Sequence, residues 1–219
     1  MTERSQRGAT EDSFLEDEWA AFPRTLSRGR AFVYVLACRN DTLSKIGFTR
    51  DPLIRWRTLH RRFFELFDLD GGILVSTERV KDARNLERTL IVAFMNCSAL
   101  ASPMARISAG GHTEWFRGVT TEAMDLARDI ALKNAWDWER PADWLRSFLA
   151  ERRHLLFSWT ATMLEVIEFE RHNENAEASQ VVSRYESALT DALDVFHTVG
   201  LDVDAQLPDP VRCWYRSRR

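Results

Sequence analysis

The chain has 219 residues, enough for one large domain or two small ones. Its hydrophobic content of 45% is sufficient for a proper core, and its formal net charge of −3 argues against a protein that coats nucleic acid without selectivity. The three cysteines, Cys38, Cys97 and Cys213, are widely spaced, which excludes a disulfide framework and a zinc knuckle. Because there is neither an apolar secretory block nor an apolar run long enough to span a bilayer, we expect a soluble, cytoplasmic protein with no membrane partner.

The first 29 residues are predicted to form a tail with one short helix. Residues 1–12 are polar and lack an apolar period, which is typical of disorder. Residues 13–22 carry four large apolar side chains, enough for a short amphipathic helix that packs on the following domain.

The stretch from Phe32 to Arg55 predicts the order strand, turn, strand, loop, helix. Its first part is rich in β-branched and aromatic residues, which favours a strand. Asn40 and Asp41 favour a turn, because their side chains can bond to their own backbone. Asp51-Pro52 is typical of a helix start, with Asp as the N-cap and Pro at the first helical position.

Between that stretch and residue 118, the pattern predicts further elements of a small mixed domain. The first helix is expected to end near Phe67, and Asp70-Gly71-Gly72 indicates a turn before a third strand. The further predicted elements are a strand at 73–80, a helix at 82–95 with Asp82 as its N-cap, and a small-residue loop at 98–111. Trp115 and Phe116 are predicted to close the core.

After Gly118, apolar residues at helical spacing predict three helices, over residues 121–139, 142–171 and 176–199. These helices are expected to form a bundle or to clasp the preceding domain. They carry no catalytic signature. Trp136 and Trp138 are interpreted as core residues, with stacking on bases or binding of a protein partner as the alternative.

Two triplets give the chain a resemblance to a known family. Val33-Tyr34-Val35 and Lys45-Ile46-Gly47 resemble the two motifs of the GIY-YIG nuclease superfamily, and Tyr34 and Lys45 stand eleven residues apart, as in that family. Arg55 falls where the family's helix carries its phosphate-contacting arginine. Leu86-Glu87 and Glu114-Trp115-Phe116 resemble later motifs of the phage and fungal, meiotically up-regulated branch, in which Lys-Ile-Gly is the second motif.

The resemblance covers residues 31–118 and implies an α+β fold. The expected domain, residues 30–118, is a three-stranded antiparallel sheet flanked by helices. An α-helical C-terminal region, residues 119–219, is expected to follow it. Residues 1–29 are left as the N-terminal tail and helix.

The resemblance also implies a phosphodiester-cleaving site formed by Tyr34, Lys45, Arg55 and Glu87. Tyr34 is expected to activate a water molecule, and Arg55 to neutralise a phosphate oxygen. Glu87 is expected to hold Mg²⁺ or Mn²⁺, since a mostly hydrated ion needs few protein ligands. For Lys45 two roles stay open, lowering the pKa of Tyr34 or binding the scissile phosphate itself. Glu114 either orients a site residue or fixes Trp115-Phe116 in the core.

Four further arginines surround that site in the sequence and are expected to contact nucleic-acid phosphates: Arg50, Arg57, Arg61 and Arg62. For Arg57, Arg61 and Arg62 a solvated helix face is an equal alternative. Two departures from the branch weaken the match. His60 is one residue off the family's histidine position, and Ile91 stands where the branch often has a histidine.

Two functional hypotheses follow. The first is a Mg²⁺-dependent DNA endonuclease of the GIY-YIG type, whose helical part selects a substrate or a protein partner. The second is a module that keeps the fold but has weakened chemistry and binds nucleic acid or protein. A purely structural, partner-binding protein built on the helices is a third and weaker alternative.

Overall fold

A computed structural model describes residues 29–106, 114–172 and 176–218. Its sheet is antiparallel and has the strand order β4-β2-β1-β3-β5. The strands are β1 (Ala31–Cys38), β2 (Leu43–Thr49), β3 (Phe67–Thr77), β4 (Trp115–Arg117) and β5 (Trp138–Glu139). The helices are α1 (Pro52–Leu59), α2 (Phe63–Leu66), α3 (Val80–Ala93), α4 (Thr120–Lys133), α5 (Pro141–Arg152), α6 (Leu156–Arg171), α7 (Ala176–Thr198) and α8 (Asp209–Arg216).

The central hairpin follows from local sequence. β1 and β2 are built from the predicted β-branched and aromatic runs, and Asn40 adopts a left-handed backbone (φ 58°) in the turn between them. Asparagine tolerates this conformation better than most residues, because its short side chain can bond locally. The predicted order strand, turn, strand, loop, helix is confirmed.

The sheet is covered by helices on both faces because side chains alternate along β1. Phe32, Tyr34 and Leu36 face one hydrophobic cluster, which also contains buried residues of α1 and of α5 to α8. Val33 and Val35 face a second cluster, which is filled by buried residues of α3 and α4. Trp115 and Phe116 are both buried, one in each cluster, so the prediction that they close the core is confirmed.

The predicted turn at Asp70-Gly71-Gly72 is wrong, because these residues lie inside β3. They form an irregularity in the β1–β3 pairing, where the register shifts between Val35 and Ala37. A Cβ atom at Gly72 would lie 2.7 Å from the carbonyl oxygen of Val35. The glycine therefore permits a close approach of two strands rather than a chain reversal.

The α+β class and the helical C-terminal region are confirmed, but the sheet has five strands rather than three. β4 and β5 are three and two residues long, too short for their patterns to predict strands. Residues 138–139, predicted as helix, form β5 because α4 ends at Lys133 with Asn134 as its C-cap, and the next residue, Ala135, has a positive φ of 53°.

Two helix boundaries also differ from the prediction. α3 begins at Val80 with Arg79 as its N-cap residue, not with Asp82. The single helix predicted over 142–171 is divided by a 3₁₀ turn at Arg153–Leu155. α4, which the prediction assigned to the C-terminal region, packs on the sheet through its buried alanines.

The predicted helix at 13–22 and the end of the loop predicted at 98–111 lie outside the described residues. Within residues 29–106, 114–172 and 176–218, none of the helices combines the length and the apolar character that a bilayer crossing requires.

Candidate active site

The phenol of Tyr34 lies over a glycine on the neighbouring strand. Tyr34 on β1 is paired with Gly47 on β2, and paired residues face the same side of a sheet. A Cβ atom at position 47 would lie 2.5 Å from the phenol oxygen and 2.7 Å from Cζ of Tyr34. The glycine of the second triplet is therefore what allows the ring to cross β2 at this point.

Arg55 reaches Tyr34 from the first turn of α1. The helix starts as predicted, with Pro52 in its first turn and the Asp51 side chain accepting the Ile54 N–H at 3.0 Å. Arg55 Nε then donates to the phenol oxygen of Tyr34 at 3.4 Å. The buried Trp56 packs edge-on against the Tyr34 ring, with 6.5 Å between the ring centroids. Helix cap and aromatic packing together fix where the guanidinium lies.

Glu87 comes from α3 and occupies the open edge of β2. β4 pairs with β2 only from Leu43 to Lys45, so the edge is uncovered near Phe48. The backbone N–H of Phe48 donates instead to Glu87 Oε1 at 2.9 Å. This bond satisfies an edge N–H that the sheet leaves unpaired, and it anchors the carboxylate beside the Tyr34–Arg55 pair.

Lys45 is fully buried and forms an ion pair. Its ammonium donates to Glu114 Oε2 at 2.6 Å and lies 5.8 Å from the centroid of the Trp115 ring. Its cross-strand neighbour is Leu36, not Tyr34. Burial lowers the pKa of Lys45, and the contact with Glu114 counteracts that shift. The two roles expected for Lys45 stay predictions, and the structure adds the ion pair with Glu114.

The electrostatics of the site keep Tyr34 neutral. Burial raises the pKa of Tyr34 to about 12, although the Arg55 guanidinium acts in the opposite direction. Burial and the charge of Glu114 likewise raise the pKa of Glu87, against the bond from the Phe48 N–H. At neutral pH an uncharged phenol thus lies among two cations, Lys45 and Arg55, and two carboxylates.

Residues 31–131 match the T5orf172 domain. This family is GIY-YIG-like and associated with homing endonucleases, so the resemblance is confirmed at that level, while the phage and fungal branch stays a prediction. The match includes most of α4, beyond the predicted end of the resemblance at residue 118. Neither the curated proteins nor the solved structures contain a match to the chain.

The structure brings Tyr34, Arg55 and Glu87 together from three segments of residues 31–131. Each of these groups is coupled electrostatically to the others, and Glu114 is coupled to both Tyr34 and Glu87. Tyr34 has no exposed surface, whereas Arg55 and Glu87 are half-buried. The site is therefore reached from the side of the guanidinium and the carboxylate.

The arginines predicted to contact nucleic acid divide into two groups. Arg50 is exposed and Arg57 is half-buried, near the site in the chain. Arg61 and Arg62 are instead paired with α7, where Arg61 Nε donates to Asp191 at 2.5 Å and Arg62 also binds Asp191. Arg62 makes further ion pairs with Asp194 at 2.7 Å and Glu65 at 2.8 Å. Carboxylates already neutralise these two guanidinium groups.

A metal site can be tested on the donor atoms present. In the part of the chain that the structure describes, no group of three or more His, Cys, Asp or Glu side chains is placed to hold a metal ion. Mg²⁺ does not require such a group, because it keeps several waters and takes one or two carboxylates plus substrate phosphate. Glu87 supplies a carboxylate of this kind, and its raised pKa is what a neighbouring cation would offset.

Sequence reasoning missed two features of this site. The first is the role of the Phe48 backbone, for which the only signal is its position directly after the second triplet. The second is the engagement of Arg61 and Arg62 by α7. No sequence signal predicts it, because Asp191 is 130 residues from Arg61.

Proposed function

We propose that this protein is a DNA endonuclease that depends on Mg²⁺ or Mn²⁺ and hydrolyses phosphodiester bonds at the Tyr34, Arg55 and Glu87 site. The observation that supports the proposal most is the convergence of a phenol, a guanidinium and a carboxylate from β1, α1 and α3 at one sheet edge. The match of residues 31–131 to a GIY-YIG-like domain supports the same class of chemistry.

Arg55 binds a non-bridging oxygen of the scissile phosphate in this proposal. Its Nε is engaged with Tyr34, and a guanidinium carries four more N–H donors on its two terminal nitrogens. A planar, permanently charged fork is well suited to a phosphate. The bond to Tyr34 holds that fork beside the phenol, so a phosphate bound to Arg55 lies next to the Tyr34 oxygen.

Tyr34 orients the attacking water and takes its proton. With a pKa of about 12, only about one phenol in 10⁵ is ionised at pH 7 in the free protein. The reaction therefore depends on the small ionised fraction, or on the pKa of Tyr34 falling when substrate and metal bind. In both cases cleavage becomes faster as the pH rises above 7.

Glu87 holds the metal ion through the carboxylate that its bond to the Phe48 N–H positions. When bound, Mg²⁺ would stabilise the negative charge that develops on the phosphate oxygens. Lys45 and Glu114 take a positioning role. Their ion pair fixes both side chains beside Glu87, where the charge of Glu114 raises the pKa of Glu87 and the charge of Lys45 lowers it.

Two observations favour a second candidate, a module that binds nucleic acid or a protein without cleaving. Tyr34 is fully buried, and its raised pKa leaves very little phenolate to take a proton in the free protein. For such a module the same site would hold a phosphate through Arg55, with no reaction following.

Plasmid nicking with Mg²⁺ or Mn²⁺ separates the two candidates. The wild type is expected to cut in either metal and to stop in EDTA. Tyr34→Phe, Arg55→Ala and Glu87→Gln are each expected to lose about 10²-fold or more of the rate, since each removes one group that acts on the reacting phosphate. Glu122→Gln removes an exposed helix carboxylate of α4 and serves as the matched control. DNA binding by a folded wild type that cuts in neither metal would contradict the nuclease and support the binding module.

A further inference from the structure

The charges at the centre of the site cancel. Counted as formal charges, Lys45 and Arg55 contribute two positive charges and Glu87 and Glu114 two negative ones, and the phenol of Tyr34, with a pKa of about 12, is neutral. A centre without net charge offers little long-range attraction to a polyanion. Affinity for a phosphate backbone must therefore come from cations at the rim of the site.

One such cation is held at the rim by an aromatic ring. Arg84 lies on α3, three residues before Glu87, so the two side chains are neighbours on the helix surface. Its guanidinium carbon is 5.3 Å from the centroid of the Phe48 ring, and the residue is exposed. Phe48 thus positions both residues of α3, Glu87 through its backbone N–H and Arg84 through its ring.

We infer that Arg84 binds the backbone phosphate of a nucleotide next to the one that is cleaved, and that Phe48 holds the guanidinium ready for it. The inference rests on the proposed function. An exposed arginine side chain ordinarily loses conformational entropy when it binds a phosphate. Because contact with the Phe48 ring already restricts the Arg84 side chain in the free protein, less entropy is lost on binding. Because Arg84 and Glu87 share one helix surface, a strand with its scissile phosphate at Glu87 passes Arg84.

Binding of a short DNA duplex to the full chain, followed by fluorescence anisotropy in EDTA over a range of salt concentrations, tests this contact without cleavage. Arg84→Ala is expected to lower the affinity about tenfold near 0.1 M salt. It is also expected to reduce the slope of log affinity against log salt by about 0.9, the value for one lost phosphate contact. Arg84→Lys keeps the charge and is expected to restore most of the slope.

Two further variants make the result specific. Arg117→Ala makes the same change in charge at the far end of β2, about 17 Å along the strand from Phe48, and is expected to bind almost as the wild type does. Phe48→Leu keeps the charge and the backbone N–H but removes the ring. It is expected to weaken binding about two- to fivefold with an unchanged salt slope.

Equal affinities and slopes for Arg84→Ala and Arg117→Ala would overturn the inference, and so would a folded wild type that does not bind the duplex. A chain that depends on Arg84 for binding but cuts with neither metal supports the inference and contradicts the proposed nuclease. A chain that cuts, yet binds equally well with Arg84→Ala, supports the nuclease and overturns the inference.

Discussion

Replacing Gly47 by alanine tests whether the glycine of Lys45-Ile46-Gly47 is needed to position the Tyr34 phenol. The added Cβ would lie 2.5 Å from the phenol oxygen, whereas carbon and oxygen atoms ordinarily approach to about 3.3–3.6 Å even in weak hydrogen bonds. The ring therefore has to move by about 1 Å, or the two strands have to separate. Either movement changes the position of the phenol relative to Arg55, whose bond to it is already long at 3.4 Å.

Both stability and activity are expected to fall. Forcing extra volume into a packed site costs about 1–3 kcal/mol of the free energy of unfolding. A misplacement of about 1 Å costs about 10²-fold in rate, because the reacting groups no longer meet the phosphate in the correct geometry. The loss of activity should thus exceed what the fraction of unfolded protein explains.

Urea denaturation and single-turnover nicking measure the two effects separately. Ile46→Val is the matched control, because Ile46 is on the same strand but faces the second hydrophobic cluster. It is expected to lose about 0.5–1.5 kcal/mol of stability and to keep its nicking rate. If Gly47→Ala has the same free energy of unfolding and the same nicking rate as the wild type, the close contact between this glycine and Tyr34 has no functional role.

Three other outcomes follow from the ionisation and pairing of the site. Since the folded pKa of Tyr34, about 12, exceeds the ordinary value of 10, the contribution of the neutral phenol to stability is present below pH 10, and about 2 kcal/mol of it is lost between pH 10 and 12. Urea titrations at both pH values should show a larger loss of stability in the wild type than in Tyr34→Phe. Because both proteins contain Lys45, its own titration cancels in this comparison, and equal losses in the two proteins would refute the prediction. Glu114→Gln leaves the buried Lys45 ammonium without its anion and should cost about 2–4 kcal/mol, with Lys45→Met in the double variant restoring most of it; no rescue would mean that Glu114 acts elsewhere. Because the pKa of Glu87 is raised, binding of Mn²⁺ without DNA should begin to weaken, as the pH is lowered, above the ordinary carboxyl value of 4.5, and a weakening only below that value would contradict this.

The parts of this site that the sequence predicts are those fixed by local chemistry. Asp51 and Pro52 start α1, and that start places Arg55 one turn into the helix. The short turn at Asn40 fixes the register of β1 and β2, so Tyr34 must lie opposite Gly47. These relations need no information from distant parts of the chain.

The parts that the sequence does not predict depend on distant partners. The partner of Lys45 is Glu114, which is 69 residues away in the chain. No local pattern predicts this ion pair, so the sequence leaves the role of Lys45 open. In the sequence, Arg61 and Arg62 resemble arginines that contact phosphates near a helix end. In the fold, the packing of α7 pairs both of them with the carboxylate of Asp191. The glycines of β3 show the same limit, because a turn and a close strand approach need the same residue type.

The pairing of Arg61 and Arg62 changes where affinity for DNA can arise. A chain of net charge −3 has no general attraction for a polyanion, and the charges at the centre of the site cancel. With Arg61 and Arg62 neutralised by Asp191 and Asp194, the proposed contact with the DNA backbone is assigned to exposed Arg84, which lies against Phe48. In the proposed function, binding and chemistry therefore belong to different residues of one sheet edge. Loss of a rim arginine should weaken binding and its salt dependence, whereas loss of Tyr34 should slow cleavage while binding is retained.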